Sequence, residues 1–165
     1  MTAAASSTIS AETHVAWQGG DLVITRGFDA PRALVYRAWT TPEHYARWFG
    51  PEGSTLSPCS LDVRTGGTLH YCHRFQDYEP VWVKGVYTDV AEPERIAFRC
   101  WFSDAEGSAV PRPGYPAEMH IAVTFAEAGA GTLVTIRQAG LPADHGEVQG
   151  WKEGLDRLAR QLANH

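Results

Sequence analysis

The chain has 165 residues, a formal net charge of -5, 44% hydrophobic residues and 20% charged residues. That length and balance fit one globular domain with a real core and exclude a disordered chain. A mildly acidic chain without clustered Lys and Arg is also excluded as a phosphate-backbone binder, so no nucleic acid is expected.

In chain order, residues 1–19 are expected to be a disordered tail. Met1 to Glu12 is rich in Ala, Ser and Thr, with neither a basic start nor an apolar run. No stretch is apolar enough to span a membrane, so a cytoplasmic location is expected. Residues 20–164 then read as one domain. Asp21 to Phe28 alternates as a first strand. Asp29-Ala30-Pro31 opens a helix, with Asp29 as the expected cap and Leu34, Val35, Ala38 and Trp39 at helical spacing. Thr41-Pro42-Glu43 repeats the start signal for a short second helix, which Gly50-Pro51 ends.

From Cys59 the period becomes two. Leu61 and Val63 lead to the turn at Gly66-Gly67. In the strand Thr68 to Phe75, Leu69, Tyr71, His73 and Phe75 share one face. Further strands cover Val81 to Val90 and Arg95 to Ser103, the latter with Ile96, Phe98, Cys100 and Phe102 on one face. A loop from Ser103 to Pro116 carries Pro111, Pro113 and Pro116. Met119 to Phe125 and Thr132 to Gln138 form a last hairpin around Gly129-Ala130-Gly131. Trp151, Leu155, Leu158 and Leu162 mark a C-terminal helix. Its Glu153 and Arg157, and Asp156 and Arg160, stand at the spacing of i,i+4 pairs on a wet face. The expected architecture is α+β: a curved antiparallel sheet of about six or seven strands around a long C-terminal helix, with two short helices after the first strand.

Cys59, Cys72 and Cys100 are odd in number and show no CxxC spacing, so buried free thiols are expected. His70 and His73 face opposite sides of their strand and cannot share an ion, and no metal or other cofactor is expected. Neither a Gly-x-Ser-x-Gly elbow nor a Gly-rich phosphate loop is present.

The run Phe28-Asp29-Ala30-Pro31-Arg32-Ala33-Leu34-Val35-Tyr36-Arg37-Ala38-Trp39-Thr40-Thr41-Pro42-Glu43, followed by Trp48-Phe49-Gly50-Pro51, resembles the opening of the START-like (SRPBCC) helix-grip superfamily. It is most similar to the group named for homology to the activator of the heat-shock-protein-90 ATPase. Gly66-Gly67, Trp82-Val83-Lys84-Gly85-Val86-Tyr87, Pro93-Glu94-Arg95-Ile96 and Gly150-Trp151-Lys152-Glu153-Gly154-Leu155 match later landmarks of that group in order. The superfamily includes lipid carriers, polyketide aromatases and cyclases, drug-sequestering proteins and relatives of the birch pollen allergen, so fold alone does not choose among them. The eukaryotic-type activator has an additional N-terminal domain, for which no room is expected here.

The resemblance implies a hydrophobic cavity between sheet and C-terminal helix, lined by Trp48, Phe49, Leu69, Tyr71, His73, Phe75, Phe98, Gln138, Trp151 and Leu155. His73 is expected to point inward with Gln138 approaching it, as a polar pair that orients a ligand carbonyl or hydroxyl. Trp48-Phe49 is the candidate gate, and Trp39 belongs to the core. No residue is assigned as catalytic; His73 would be the acid–base group of an enzyme. Two functions stand side by side: a binding module for a lipid, polyketide or aromatic metabolite, and a cyclase or aromatase using His73 with Tyr71 or Gln138. A chaperone-associated ATPase activator homologue is the third alternative. Exposed strand edges leave room for a homodimer.

Overall fold

The computed structural model describes residues 10–141 and 146–164. Among them eight strands form one antiparallel sheet, joined by three helices. The elements are β1 (His14–Gln18), β2 (Asp21–Phe28), α1 (Arg32–Thr40), α2 (Pro42–Trp48), β3 (Thr55–Leu61), β4 (Thr68–Arg74), β5 (Val81–Ala91), β6 (Arg95–Ser103), β7 (Met119–Ala128), β8 (Gly131–Ala139) and α3 (Glu147–Ala163). The sheet order is β1-β2-β8-β7-β6-β5-β4-β3. Thus β3 to β8 run as a meander, and the N-terminal hairpin joins it through β2 against β8.

The eighth strand corrects the expected tail. Residues 14–18 pair with β2, from His14 opposite Thr25 to Gln18 opposite Asp21. Gly19 and Gly20 both adopt positive φ, which gives the two-residue turn that matches the twist of a hairpin. Val15 packs on the core from this edge. Residues 1–9 lie outside the described residues.

The helices α1 and α2 start where Pro permits it, with differences in capping. Pro31, not Asp29, is the N-cap of α1, and its carbonyl accepts the amides of Leu34 and Val35. Thr41 caps α2 through its backbone carbonyl, which accepts from His44 and Tyr45, and its hydroxyl makes no cap bond. The apolar stripe of α3 buries Trp151, Gly154, Leu155 and Leu158. Sheet and helices enclose one core with Leu22, Ile24, Val35, Trp39, Trp48, Leu69, Tyr71, Phe98, Val123, Phe125 and Ile136. At the sheet's centre, a Cβ on Gly85 would lie 2.6 Å from the Arg99 carbonyl oxygen, so only glycine fits there.

The polar face of α3 departs from the expected i,i+4 pairing. Arg157 donates to the carbonyls of Arg47, Gly50, Pro51 and Ser54. Arg160 binds Glu52, Asp156 binds Arg26 of β2, and Glu153 accepts from the Glu52 amide and Gln149. These charges tie the helix to the rest of the fold. Ser103 to Pro116 also folds back on its own strand. The Val110 amide donates to the Phe102 carbonyl, and the Tyr115 ring meets Phe102 edge-on. All three cysteines are free; Cys72 and Cys100 are buried and Cys59 is partly so. Burial pushes the Cys59 thiol up to about 11 and Cys100 to about 12, so neither is a ready nucleophile.

Candidate functional site

The site forms where the end of α2, the end of β4 and the first half of α3 converge. Alternation along β4 sends Leu69, Tyr71 and His73 to one side, with Phe75 just beyond the strand. Phe49 follows α2, and Gly50 then takes φ 111°, a conformation that turns the chain away from the helix. Trp151 enters from α3.

Their rings form a continuous row. Phe49 lies 5.7 Å from Tyr71, 5.6 Å from His73 and 5.6 Å from Trp151 between centroids. His73 continues to Phe75 at 6.2 Å, and Phe75 to Tyr78 at 6.2 Å. Inward, Tyr45 stacks on Phe49 at 4.4 Å and meets Tyr71 at 5.9 Å. The row therefore starts in the core and ends in solvent, where Tyr78 is 77% exposed. Phe49, His73 and Phe75 between them are half-buried. Such edge-on and offset contacts are the favoured geometries for aromatic pairs.

His73 is a neutral imidazole near pH 7. Burial first, and the Arg157 guanidinium second, push it down to about 4. Its Nδ1 is buried without a hydrogen-bond partner beside Gly50, where a Cβ would come within 3.1 Å of it. Burial likewise raises Tyr45 and Tyr71 well above the ordinary phenol range, so both hydroxyls stay protonated.

The residues expected from sequence fall into two groups. Phe49, Tyr71, His73, Phe75 and Trp151 stand together in the row. Trp48, Leu69, Phe98 and Leu155 are buried in the core. Trp48 has no exposed surface, and its indole N–H donates to the Ala38 carbonyl at 2.9 Å. It is an anchor, and of the two residues of the expected gate only Phe49 is partly exposed. Gln138 does not pair with His73. It is 1% exposed, and its Oε1 accepts the Trp151 indole N–H at 2.8 Å. Sequence reasoning missed Tyr45, Gly50, Ser54 and Arg157. The Gly50-Pro51 pair after an aromatic residue was a signal for a fixed turn. Arg157 had none, because helical spacing alone pairs it with Glu153.

Among the described residues, no group of three His, Cys, Asp or Glu side chains could hold a metal. No helix among them is long and apolar enough to cross a membrane.

One antiparallel sheet packed with a long C-terminal helix, and two short helices inserted after β2, define the START-like helix-grip class. A family-wide profile described as "Activator of Hsp90 ATPase homolog 1-like protein" matches residues 29–165, and the chain belongs to that family. A crystal structure of a Chromobacterium violaceum protein is similar at 28% identity and a TM-score of 0.75, covering 88% of this chain and 98% of that one. A Mycobacterium smegmatis protein shares the fold at 22% identity and a TM-score of 0.78, over 94% of this chain and 97% of the other. An Arthrobacter aurescens protein shares it at 21% identity and a TM-score of 0.81, over 92% of each chain. No curated protein matches the chain.

Proposed function

We propose that this protein binds an aromatic or otherwise hydrophobic small molecule between the sheet and α3, entering along the ring row that ends at Tyr78. The observation that carries this reading is the row itself. The half-buried rings of Phe49, His73 and Phe75 stand in contact between solvent and the buried Tyr71 and Trp151. A flat ligand gains stacking area at each ring. Family membership supports a ligand-binding fold.

Entry requires the Phe49 ring to swing aside by side-chain rotation, because Arg157 holds the Gly50, Pro51 and Ser54 carbonyls behind it. Inside, the Nε2 of neutral His73 supplies a single polar contact for a ligand hydroxyl, in the manner of sites that are mostly apolar with few polar groups. Held at about 4, His73 is a weak base near pH 7, which favours orientation of a ligand over proton transfer.

The test is titration of the full chain with 1-naphthol, naringenin and oleate, read by tryptophan fluorescence and thermal melting. At least one should quench Trp151 and raise the melting temperature, and Phe49→Ala should change that affinity. Absence of both quenching and a melting shift across all three would overturn the reading.

A further inference from the structure

We propose a second, separate site: the cleft where the ends of α1, α2 and α3 meet binds a small organic anion, a carboxylate or phosphate ester carrying a compact apolar body. The cleft holds about 220 Å³ and is lined by Leu34, Arg37, Ala38, His44, Arg47, Gln161, Leu162 and Asn164. None of these belongs to the ring row or to the expected cavity lining.

Charge identifies the ligand class. Arg37 and Arg47 stand in the last turns of α1 and α2, where helix dipoles favour cations. Both side chains are exposed. Among the described residues neither guanidinium has an ion-pair or hydrogen-bond partner, although other exposed arginines do. No Asp or Glu among the described residues lines the cleft, in a chain whose net charge is -5. Two unpaired guanidiniums bordering one hollow suit a group with two or three terminal oxygens, because each can donate two parallel N–H bonds. On the α3 side, Asn164 Nδ2 donates to the Arg160 carbonyl and keeps one further N–H. Gln161 Nε2 also donates to the His44 carbonyl, which fixes α3 against α2 at this point.

Shape identifies the rest of the ligand. Leu34, Ala38 and Leu162 give an apolar lining. The volume is below the usual 300–1,000 Å³ of drug-sized sites, so the apolar body is about one ring or a short chain. Solvated surface arginines at helix ends explain each cation singly. They do not explain why two unpaired cations border one partly apolar hollow with no Asp or Glu among its described lining residues.

The experiment uses the full chain and amide chemical-shift mapping, with phenyl phosphate and benzoate as anionic probes. Benzyl alcohol is the neutral control and inorganic phosphate the control without a ring. Shifts should concentrate at residues 34–41, 44–48 and 161–164. Phenyl phosphate should bind at least tenfold tighter than benzyl alcohol and severalfold tighter than inorganic phosphate. Arg37→Gln with Arg47→Gln should weaken phenyl phosphate at least tenfold without moving the melting temperature. Equal binding of benzyl alcohol, equal binding of inorganic phosphate, or unchanged affinity in the double variant would each overturn the proposal. Shifts at Phe49, His73 and Trp151 instead would place the anion in the aromatic site and refute a second one.

Discussion

The indole N–H of Trp151 on α3 donates to the side-chain oxygen of Gln138 on β8 across 2.8 Å, with both residues buried. This bond fixes the first half of the long helix to the last strand. It also fixes the ring that closes the inner end of the aromatic row. Gln138→Leu leaves the indole N–H unpaired and is expected to destabilise the fold by about 1–3 kcal/mol. Urea denaturation should show a lower midpoint with an unchanged slope. Adding Trp151→Phe should give less loss than the two single changes summed, since the double variant has no orphaned group.

Acid should expose the cost of keeping His73 neutral. Its folded-state value near 4 lies below the ordinary 6.5, so the unfolded chain binds this proton first as pH falls. The stability it contributes is therefore complete above pH 6.5 and is lost between 6.5 and 4. A partly exposed ring reduces the full linkage value, which leaves on the order of 2 kcal/mol. His73→Phe keeps a ring in the row, and the difference between its stability–pH curve and that of the wild type should show a slope in that window alone.

Arg157 serves two purposes that one substitution separates. Arg157→Met removes the donors that hold the Gly50, Pro51 and Ser54 carbonyls. A loss of about 2–3 kcal/mol is expected, as for charged hydrogen bonds. The same change removes a positive neighbour from His73, whose pKa should rise while staying below 6.5 because burial remains. Titration of the His73 ring by NMR measures the shift, and no movement would mean that burial alone sets it.

Two glycines on facing segments should respond in opposite directions to alanine. Gly150 lies within α3, and a Cβ there meets nothing within 4 Å among the described residues. Gly150→Ala should stabilise by about 0.8–1 kcal/mol through helix propensity. Gly50 has φ 111°, and a Cβ would lie 2.8 Å from the Ser54 hydroxyl and 3.1 Å from His73 Nδ1. Gly50→Ala should destabilise by more than about 1 kcal/mol. Thermal melting of the two variants beside the wild type checks both signs.

Most of the sheet was readable because its strands alternate strongly and its turns carry Gly or Pro. The β4 face with Leu69, Tyr71 and His73 follows directly from that alternation. β1 was not readable as a strand, because Val15 is its sole core contact and most of its other residues are exposed. The Gly19-Gly20 turn was its one clear signal. Within the site, sequence placed Phe49, His73 and Trp151 in one region but could not choose hydrogen-bond partners. Face assignment allowed Gln138 to approach either His73 or Trp151, and a buried indole N–H needs the acceptor more. Arg157 was hidden for a similar reason. An i,i+4 acid is visible in sequence, whereas one carbonyl from α2 and three from the loop after it, about a hundred residues away, are not.

The sheet order has a consequence for how the molecule is made. β3 to β8 can pair in succession as each leaves the ribosome, since every neighbour in space is the next in sequence. β2 cannot. Its second partner is β8, with Leu22 opposite Gln138, so its open edge waits until Gly131–Ala139 has been synthesised. Pairings this distant in sequence form slowly, and an unpaired edge is open to other chains meanwhile. The sheet therefore closes where two pieces, a hairpin and a meander, meet along a single seam.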